Sequence, residues 1–306
     1  MKFYMAPLEG ITTYVYRNIH HEMFPGIDQY YTPFVSPTSD HDFKSREKRD
    51  VIPEHNKGVP VVPQILSNHA EEFIYTAERL IEYGYKEINL NLGCPSGTVV
   101  SKGRGSGFLS NLDGLDDFLQ KIFEKVPVPI SVKTRIGRHD PSEFRDIIKI
   151  YNEYPICELT IHPRVRDDYY KGRANWDVFE EALEQSVNPV CYNGDICSKE
   201  EYEKFCERFP MVDRIMIGRG LIADPGLVRE LQGGEAMSWQ ERLHFASELQ
   251  RSYEEIMPEI PVLYKMKEVW SYMSLAHEDS AKVWKKIKKT KRLREYEMVL
   301  RTLDRH

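Results

Sequence analysis

The residue of this 306-residue chain best placed to do chemistry is a cysteine. Cys94 stands between Gly93 and Pro95 in the run Asn91-Leu92-Gly93-Cys94-Pro95-Ser96, outside any periodic stripe. Gly93 lets a ligand approach the backbone, and Pro95 biases Cys94 towards an extended conformation. A thiol with an ordinary pKa near ~8.5 is mostly protonated at neutral pH, so it can donate a proton. A free cysteine is also a small core hydrophobe, and the sequence leaves both readings open. Lys133 projects from a strand end that would otherwise be apolar and offers a fixed positive charge to a group that becomes anionic. A lysine that buries its stem and lifts its ammonium to water reads the same way. His162 has no second His or carboxylate at ligand spacing, so a metal site is not indicated there. Gly103-Arg104-Gly105-Ser106-Gly107 lacks the G-K-S/T of a nucleotide loop and is expected to form a mobile flap after Cys94.

These residues fall at the ends of β-rich runs. The strand candidates are Lys2–Met5, Gln29–Thr32, Val59–Leu66, Glu87–Leu92, Pro129–Lys133, Glu158–His162, Pro189–Asn193 and Arg214–Ile217. Several are rich in Val and Ile with few charges, as strands buried on both faces should be. Between them run helical stripes such as Phe73, Ala77, Leu80 and Leu115, Phe118, Leu119, Ile122. Asp140-Pro141-Ser142-Glu143, Ser198-Lys199-Glu200-Glu201 and Ser238-Trp239-Gln240-Glu241 are capping-box patterns that start helices. Eight β/α alternations suit a closed (β/α)8 barrel better than an open doubly wound sheet, whose first turn would more often read G-x-G-x-x-G. Residues 1–234 are therefore expected to form the barrel and residues 235–306 a small all-helical domain. In that domain, Pro258 and Pro261 should break the first helix, a second should cover about 262–276, and a third should run from about 279 to the end.

Function in such a barrel sits on the loops after the strands. The seventh and eighth strands end in Asn193-Gly194-Asp195 and Gly218-Arg219-Gly220, followed by a helix opening at Asp224-Pro225. Backbone N–H groups there can point at a phosphate, and Arg219 adds a charge-assisted fork; tight turns need the same glycines.

Apolar residues make up 41% of the chain and charged residues 29%, with a mean hydropathy of −0.53, which excludes disorder and a helical membrane bundle. No run approaches the ~18 apolar residues of a spanning helix, and Met1–Pro7 reads as a strand rather than a leader. Five scattered cysteines with no C-x-x-C argue against a disulfide framework or a structural metal and fit a reducing cytoplasm. The net charge is −6, but residues 281–306 hold ten Lys/Arg against three acids, which leaves −13 on residues 1–280. An acidic body with a basic tail suggests a polyanionic partner.

Together these motifs resemble the tRNA-dihydrouridine synthase family. The resemblance covers essentially the whole chain and rests on M-A-P-L-E-G-I-T (5–12), N-L-N-L-G-C-P-S (89–96), V-K-T-R (132–135), the segment from His162 to Trp176, N-G-D-I (193–196) and I-G-R-G (217–220). It implies FMN across the barrel mouth, with Ala6, Pro7 and Leu8 under the ring and Gln64 on its polar edge. It further implies Lys133 and His162 at the ring and ribityl chain, and Asn193, Gly194, Asp195, Gly218 and Arg219 at the phosphate. Cys94 would be the general acid, Asn91 would orient the uracil, and Arg135 would also serve the substrate. NADPH would be the reductant and tRNA the partner, held by Lys282, Lys285, Lys286 and Lys289 of a cytoplasmic monomer. Two departures stand out: Leu8 replaces the usual Met, and Pro163 replaces Gly in H-G-R, which removes a backbone donor. The runner-up readings are an FMN barrel acting on a free pyrimidine or another small molecule, and a non-catalytic tRNA binder.

Overall fold

The computed structural model describes residues 1–38 and 42–302. Its strands are β1 (Lys2–Met5), β2 (Gln29–Tyr31), β3 (Val61–Val62), β4 (Gln64–Ile65), β5 (Ile88–Leu92), β6 (Ile130–Arg135), β7 (Leu159–His162), β8 (Val190–Tyr192) and β9 (Arg214–Ile217). They lie in the order β3-β2-β1-β9-β8-β7-β6-β5-β4, and the recorded pairs are parallel. β3 and β4 are the two halves of the expected third strand, split at Pro63, which has no N–H for a ladder. Val61 and Val62 pair with β2, whereas Gln64 and Ile65 pair with β5. The two ends of the order therefore belong to one stretch of chain, and the sheet closes as a (β/α)8 barrel.

Alternation along the strands decides what fills that barrel. On β5, Ile88, Leu90 and Leu92 alternate with Asn89 and Asn91; on β6, Ile130 and Val132 alternate with Ser131, Lys133 and Arg135. Register aligns Gln64 with Asn89 and Ser131, and Asn91 with Lys133 and Thr160. The polar set faces inward. Tyr4 and Tyr31 donate to Glu158 at 3.0 and 3.4 Å, and Arg214 donates to it at 3.3 Å, contacts that span non-adjacent strands. The interior is thus polar along β4, β5 and β6 and around Glu158.

The helical stripes form as the spacing predicts. Ala70–Glu82 buries Phe73, Ala77 and Leu80, and Leu112–Lys125 buries Leu115, Phe118, Leu119 and Ile122. Asp140 and Ser238 make reciprocal capping boxes. Ser198 caps its helix, but Glu201 accepts from the Cys197 N–H at 2.7 Å instead.

Two compact bodies result. The first comprises Met1–Pro7, Gln29–Asp195 and Met211–Met216; the second comprises Leu8–Asp28, Ile196–Pro210 and the chain from Ile217 on. Within the second, Tyr16 meets Phe245 edge-on at 5.4 Å, and Trp270 donates to the buried Tyr296 hydroxyl at 3.0 Å. Its terminal helices are Trp239–Glu254, Glu259–Ala276, Glu278–Ile287 and Leu293–Arg301. Pro258 caps the second of these, and Pro261 lies in its first turn, where a missing N–H costs no intrahelical bond; Pro261 does not break it. The expected single third helix is two, because Thr290 turns back on the Ile287 carbonyl and Leu293 and Tyr296 start a new buried stripe. Asp304 and Arg305, counted in the basic segment, lie outside the described residues. Among the described residues no helix is long and apolar enough to cross a membrane, and no cluster of three metal-ligating side chains occurs.

Candidate active site

In the first body the turn after β5 is held from both sides. Asn91 Oδ1 accepts the backbone N–H groups of Gly93 (3.1 Å) and Cys94 (2.9 Å), and the Cys94 carbonyl accepts from Ser106 N (3.1 Å) and Oγ (2.8 Å). Ser106 is fully buried in the 3-10 turn Gly105–Ser110. Gly105 has φ +57°, and a Cβ there would come within 2.8 Å of the Cys94 carbonyl oxygen. The expected mobile flap is instead a packed brace, glycine-rich because it touches the turn. Cys94 itself is half-buried.

Beside this turn Lys133 is half-buried in the mouth, in register with Asn91. Burial is the main cause that pulls its pKa down to about 8; the Arg135 cation adds to it, and the Cys191 and Cys94 thiols oppose it. No carboxylate pairs with Lys133 among the described residues, so its ammonium suits an anionic or electron-rich ligand. Below it, Gln64 is fully buried; its Oε1 accepts from Asn91 Nδ2 and its Nε2 donates to Asn89 Oδ1, both at 2.7 Å. Each end of that amide keeps one further hydrogen-bonding position.

Arg135, expected among the substrate contacts, is 1% exposed and donates to the carbonyls of Gly93 (3.0 Å), Val165 (2.8 Å) and Tyr169 (2.7 Å). It clamps the Cys94 turn to the loop after β7. Burial lowers its pKa from the ordinary guanidinium value. His162 is buried; its Nε2 meets Arg164 Nη1 at 3.0 Å, and its ring stacks at 6.1 Å on Tyr170. Arginine only donates, so Nε2 is the acceptor and the ring proton sits on Nδ1. Asp195 is forked by Arg164 and also accepts from Ala174 N at 3.2 Å. A phosphate contact from this residue therefore belongs to its backbone, not its carboxylate. Asn193 donates to the Met216 carbonyl at 2.8 Å. A Cβ on Gly194 would fall 1.9 Å from the Tyr192 hydroxyl, so packing alone already requires glycine there. Ala6 is buried and Pro7 half-buried at the end of β1.

The remaining expected residues belong to the second body. The Leu8 N–H donates to Thr12 Oγ1 at 2.8 Å. Gly218 precedes the short helix Arg219–Ala223. Lys282 is exposed and pairs with Glu278 (3.2 Å) and Asp279 (3.0 Å), whereas Lys285, Lys286 and Lys289 are exposed on the same basic stretch.

Sequence reasoning missed three contributors. Arg164, 1% exposed, ties His162, Asp195 and the carbonyls of Lys171 and Gly172 together. Its signal was the H-P-R departure itself: with the backbone donor of residue 163 gone, the side chain of residue 164 organises the loop. Tyr170, 52% exposed, lies under the Arg135 guanidinium at 5.4 Å, a pairing across 35 residues that the sequence does not signal. Asn89 gave no signal either, because one polar residue inside a strand looks like any other.

These features define a (β/α)8-barrel protein with Cys94, Lys133 and His162 at or just beyond the carboxyl ends of its strands. Among solved structures, histamine dehydrogenase from Rhizobium sp. 4-9 aligns with a TM-score of 0.58 at 13% identity, over 76% of this chain and 45% of that one. Morphinone reductase in complex with tetrahydroNAD aligns at 0.54 and 11%, over 78% and 88%. At such identities the likeness is one of fold. A family model described as Dihydrouridine synthase (Dus) matches residues 4–305. "Probable tRNA-dihydrouridine synthase" of Staphylococcus aureus (strain COL) is 31% identical over 229 residues, 73% of this chain and 69% of its own length. "tRNA-dihydrouridine synthase B" of Pasteurella multocida (strain Pm70) is 32% identical over 232 residues, 76% and 69%. The chain belongs to the dihydrouridine synthase family, and so to the oxidoreductases.

Proposed function

We propose that this protein reduces the C5–C6 double bond of a uridine in tRNA, with FMN as bound cofactor, NADPH as reductant and Cys94 as the proton donor. The observation that carries this reading is the Cys94 turn, pinned by Asn91 and Ser106 in the mouth that also holds Lys133. The donor set fits a flavin: Lys133 offers a cation without a carboxylate partner, Gln64 keeps a free position at each end of its amide, and Ala6 and Pro7 supply an apolar seat. The chemistry supplied by bound FMN is hydride transfer, received from the nicotinamide and passed to uracil C6. Lys133 stabilises negative charge at that ring, and His162 is the proposed contact of the ribityl region. Cys94 Sγ holds the proton that balances the hydride and delivers it to C5. Asn91 acts chiefly by orienting the turn, and Arg135 by clamping it to the neighbouring loop. Asn193, Gly194, Asp195, Gly218 and Arg219 are the proposed phosphate ligands, and Leu8 joins Ala6 and Pro7 at the ring.

Residues 1–234 are the proposed catalytic barrel and residues 235–306 the proposed tRNA-binding part. There Lys282, Lys285, Lys286 and Lys289 track the RNA backbone by displacing its counterions, which makes affinity fall with salt. A uridine must leave its stack to reach the mouth, at a cost of a few kcal/mol that pocket contacts offset. The deciding experiment incubates purified protein with NADPH and tRNA from cells lacking it, and maps dihydrouridine by primer extension. Product formed by the native chain and lost in Cys94→Ala supports the reading. A yellow protein that oxidises NADPH but reduces only free pyrimidines overturns the tRNA assignment, and a colourless one that rejects FMN overturns the enzyme.

A further inference from the structure

A single line of side chains runs through the barrel interior from its floor to the Cys94 turn. Ser131 Oγ donates to Glu87 Oε1 at 2.6 Å, and Asn89 Nδ2 donates to Ser131 Oγ at 2.9 Å. Gln64 Nε2 then donates to Asn89 Oδ1, and Asn91 Nδ2 to Gln64 Oε1, both at 2.7 Å. The N–H groups of Gly93 and Cys94 donate to Asn91 Oδ1. Every link points the same way, towards Glu87. Gln64, Asn89 and Ser131 are fully buried, so water cannot replace a broken link. From Glu87 to Asn91 the line climbs four residues of one strand, about 13 Å at ~3.3 Å per step.

The polarity of this line has a physical consequence at its far end. A primary amide reversed by rotation places N–H against N–H or oxygen against oxygen, so no single link can turn over alone. The whole line could reverse only if its foot became a donor. Glu87 stands at the foot as the acceptor: it receives Ser131 Oγ at 2.6 Å and Gln29 Nε2 on its other oxygen at 3.5 Å; burial raises its pKa, and these two hydrogen bonds, which favour the charged form, oppose that rise. We infer that Glu87, Ser131 and Asn89 are positioning residues. Through Gln64 and Asn91 they fix which end of the Asn91 amide faces the Cys94 turn, and hence where the Cys94 thiol sits. If the line reversed, Asn91 would present its NH2 group to two backbone N–H donors and the turn would have to move.

Glu158 provides the internal comparison. It is a buried carboxylate of the same interior, bonded directly to Tyr4, Tyr31 and Arg214 and joined to the line only at its Glu87 foot, through Tyr31 and Gln29. The test measures alkylation of Cys94 by iodoacetamide, followed by peptide mass spectrometry, in Glu87→Gln, Ser131→Ala, Asn89→Leu and Glu158→Gln. Glu87→Gln keeps the size of the side chain but lets its amide donate. Alkylation should change about fivefold in the three line variants, the factor that one net hydrogen bond is worth, and stay at the native rate in Glu158→Gln. Asn89→Asp, which keeps the acceptor for Gln64 Nε2, should recover part of the native rate. Equal effects in line variants and Glu158→Gln, or none in any, overturn the inference; should Glu87→Gln not fold, Ser131→Ala decides alone.

The catalytic meaning of this line rests on the proposed acid role of Cys94, which the thiol measurement does not assume. In the holoenzyme, Glu87→Gln should lower kcat for tRNA. If Cys94→Ala keeps full activity, the acid assignment fails, yet an alkylation effect in Glu87→Gln would still stand.

Discussion

The turn around Cys94 and the basic stretch from Lys282 to Lys289 are both polar and both proposed to face the substrate, yet they are built on opposite rules. In the turn, the backbone is held by fixed partners: Asn91 and Ser106 bond the Cys94 N–H and carbonyl, and Arg135 reaches three carbonyls from a buried position. On the basic stretch, Lys285, Lys286 and Lys289 stand in solvent, and Lys282 pairs only with acids one helical turn away. Proton transfer needs atoms placed within tenths of an ångström, which only buried, fully bonded groups sustain. Displacing counterions from a polyanion needs charge and little geometry. The contrast makes the two regions fail differently.

Cys94→Ala should give the largest effect. Removing a general acid lowers the rate by roughly 10²–10⁴-fold. FMN content and tRNA affinity should stay native, and dihydrouridine formed at more than a tenth of the native rate would take Cys94 out of the acid role.

Lys133→Met comes next and tests whether the fixed charge acts on the cofactor. Lys133 holds its proton below about pH 8 in the folded chain. Flavin reduction by NADPH should therefore slow as pH rises through 8 in the native protein, and Lys133→Met should be slow and flat across that range. The sign for stability is opposite. The unfolded chain keeps this proton up to the ordinary lysine value, so between about 8 and that value it binds more protons, and this group's contribution to stability rises with pH. A pH–rate profile unchanged by the substitution would sink the electrostatic role.

Reversing Lys285, Lys286 and Lys289 to Glu should weaken tRNA binding by about one to two orders of magnitude at low salt and flatten the slope of log K against log salt. Thermal stability should hardly move, because these side chains have no fixed partner among the described residues. A native salt slope would make the stretch a solvated face and nothing more.

Gly105→Ala should give the smallest kinetic effect but a clear structural one. The new Cβ meets the Cys94 carbonyl at 2.8 Å from a left-handed backbone position, so a loss of about 1–3 kcal/mol is expected in urea denaturation. Full stability with full activity would mean that the brace yields freely, and the sharp contrast between turn and tail would soften.

Much of the scaffold was legible before any coordinates. Stripes such as Phe73, Ala77 and Leu80 form helices because burying one face in every 3.6 residues is a local property. Cys94 and Lys133 stood out as candidates because a residue that breaks its local pattern is conspicuous. The failures share a cause. Pro261 looked like a breaker because the sequence does not say which turn of a helix it occupies. Gly103–Gly107 looked like a flap because a glycine that admits a neighbour resembles a glycine that lends freedom. The polar interior was hidden because alternation on β5 and β6 shows two faces but not which one points inwards.

What the amino-acid order determined by itself was the periodic part: where strands and helices run, how they are capped, and which residue types stand at the strand ends. Only the closed barrel decided partners. Whether Arg135 would meet water or three carbonyls, and whether Asp195 would stay open or accept Arg164, depended on residues 30 to 42 positions away in the chain. Hydrogen bonds act over about 3 Å, so they are written by proximity in space, and proximity between distant segments exists only once the sheet has closed.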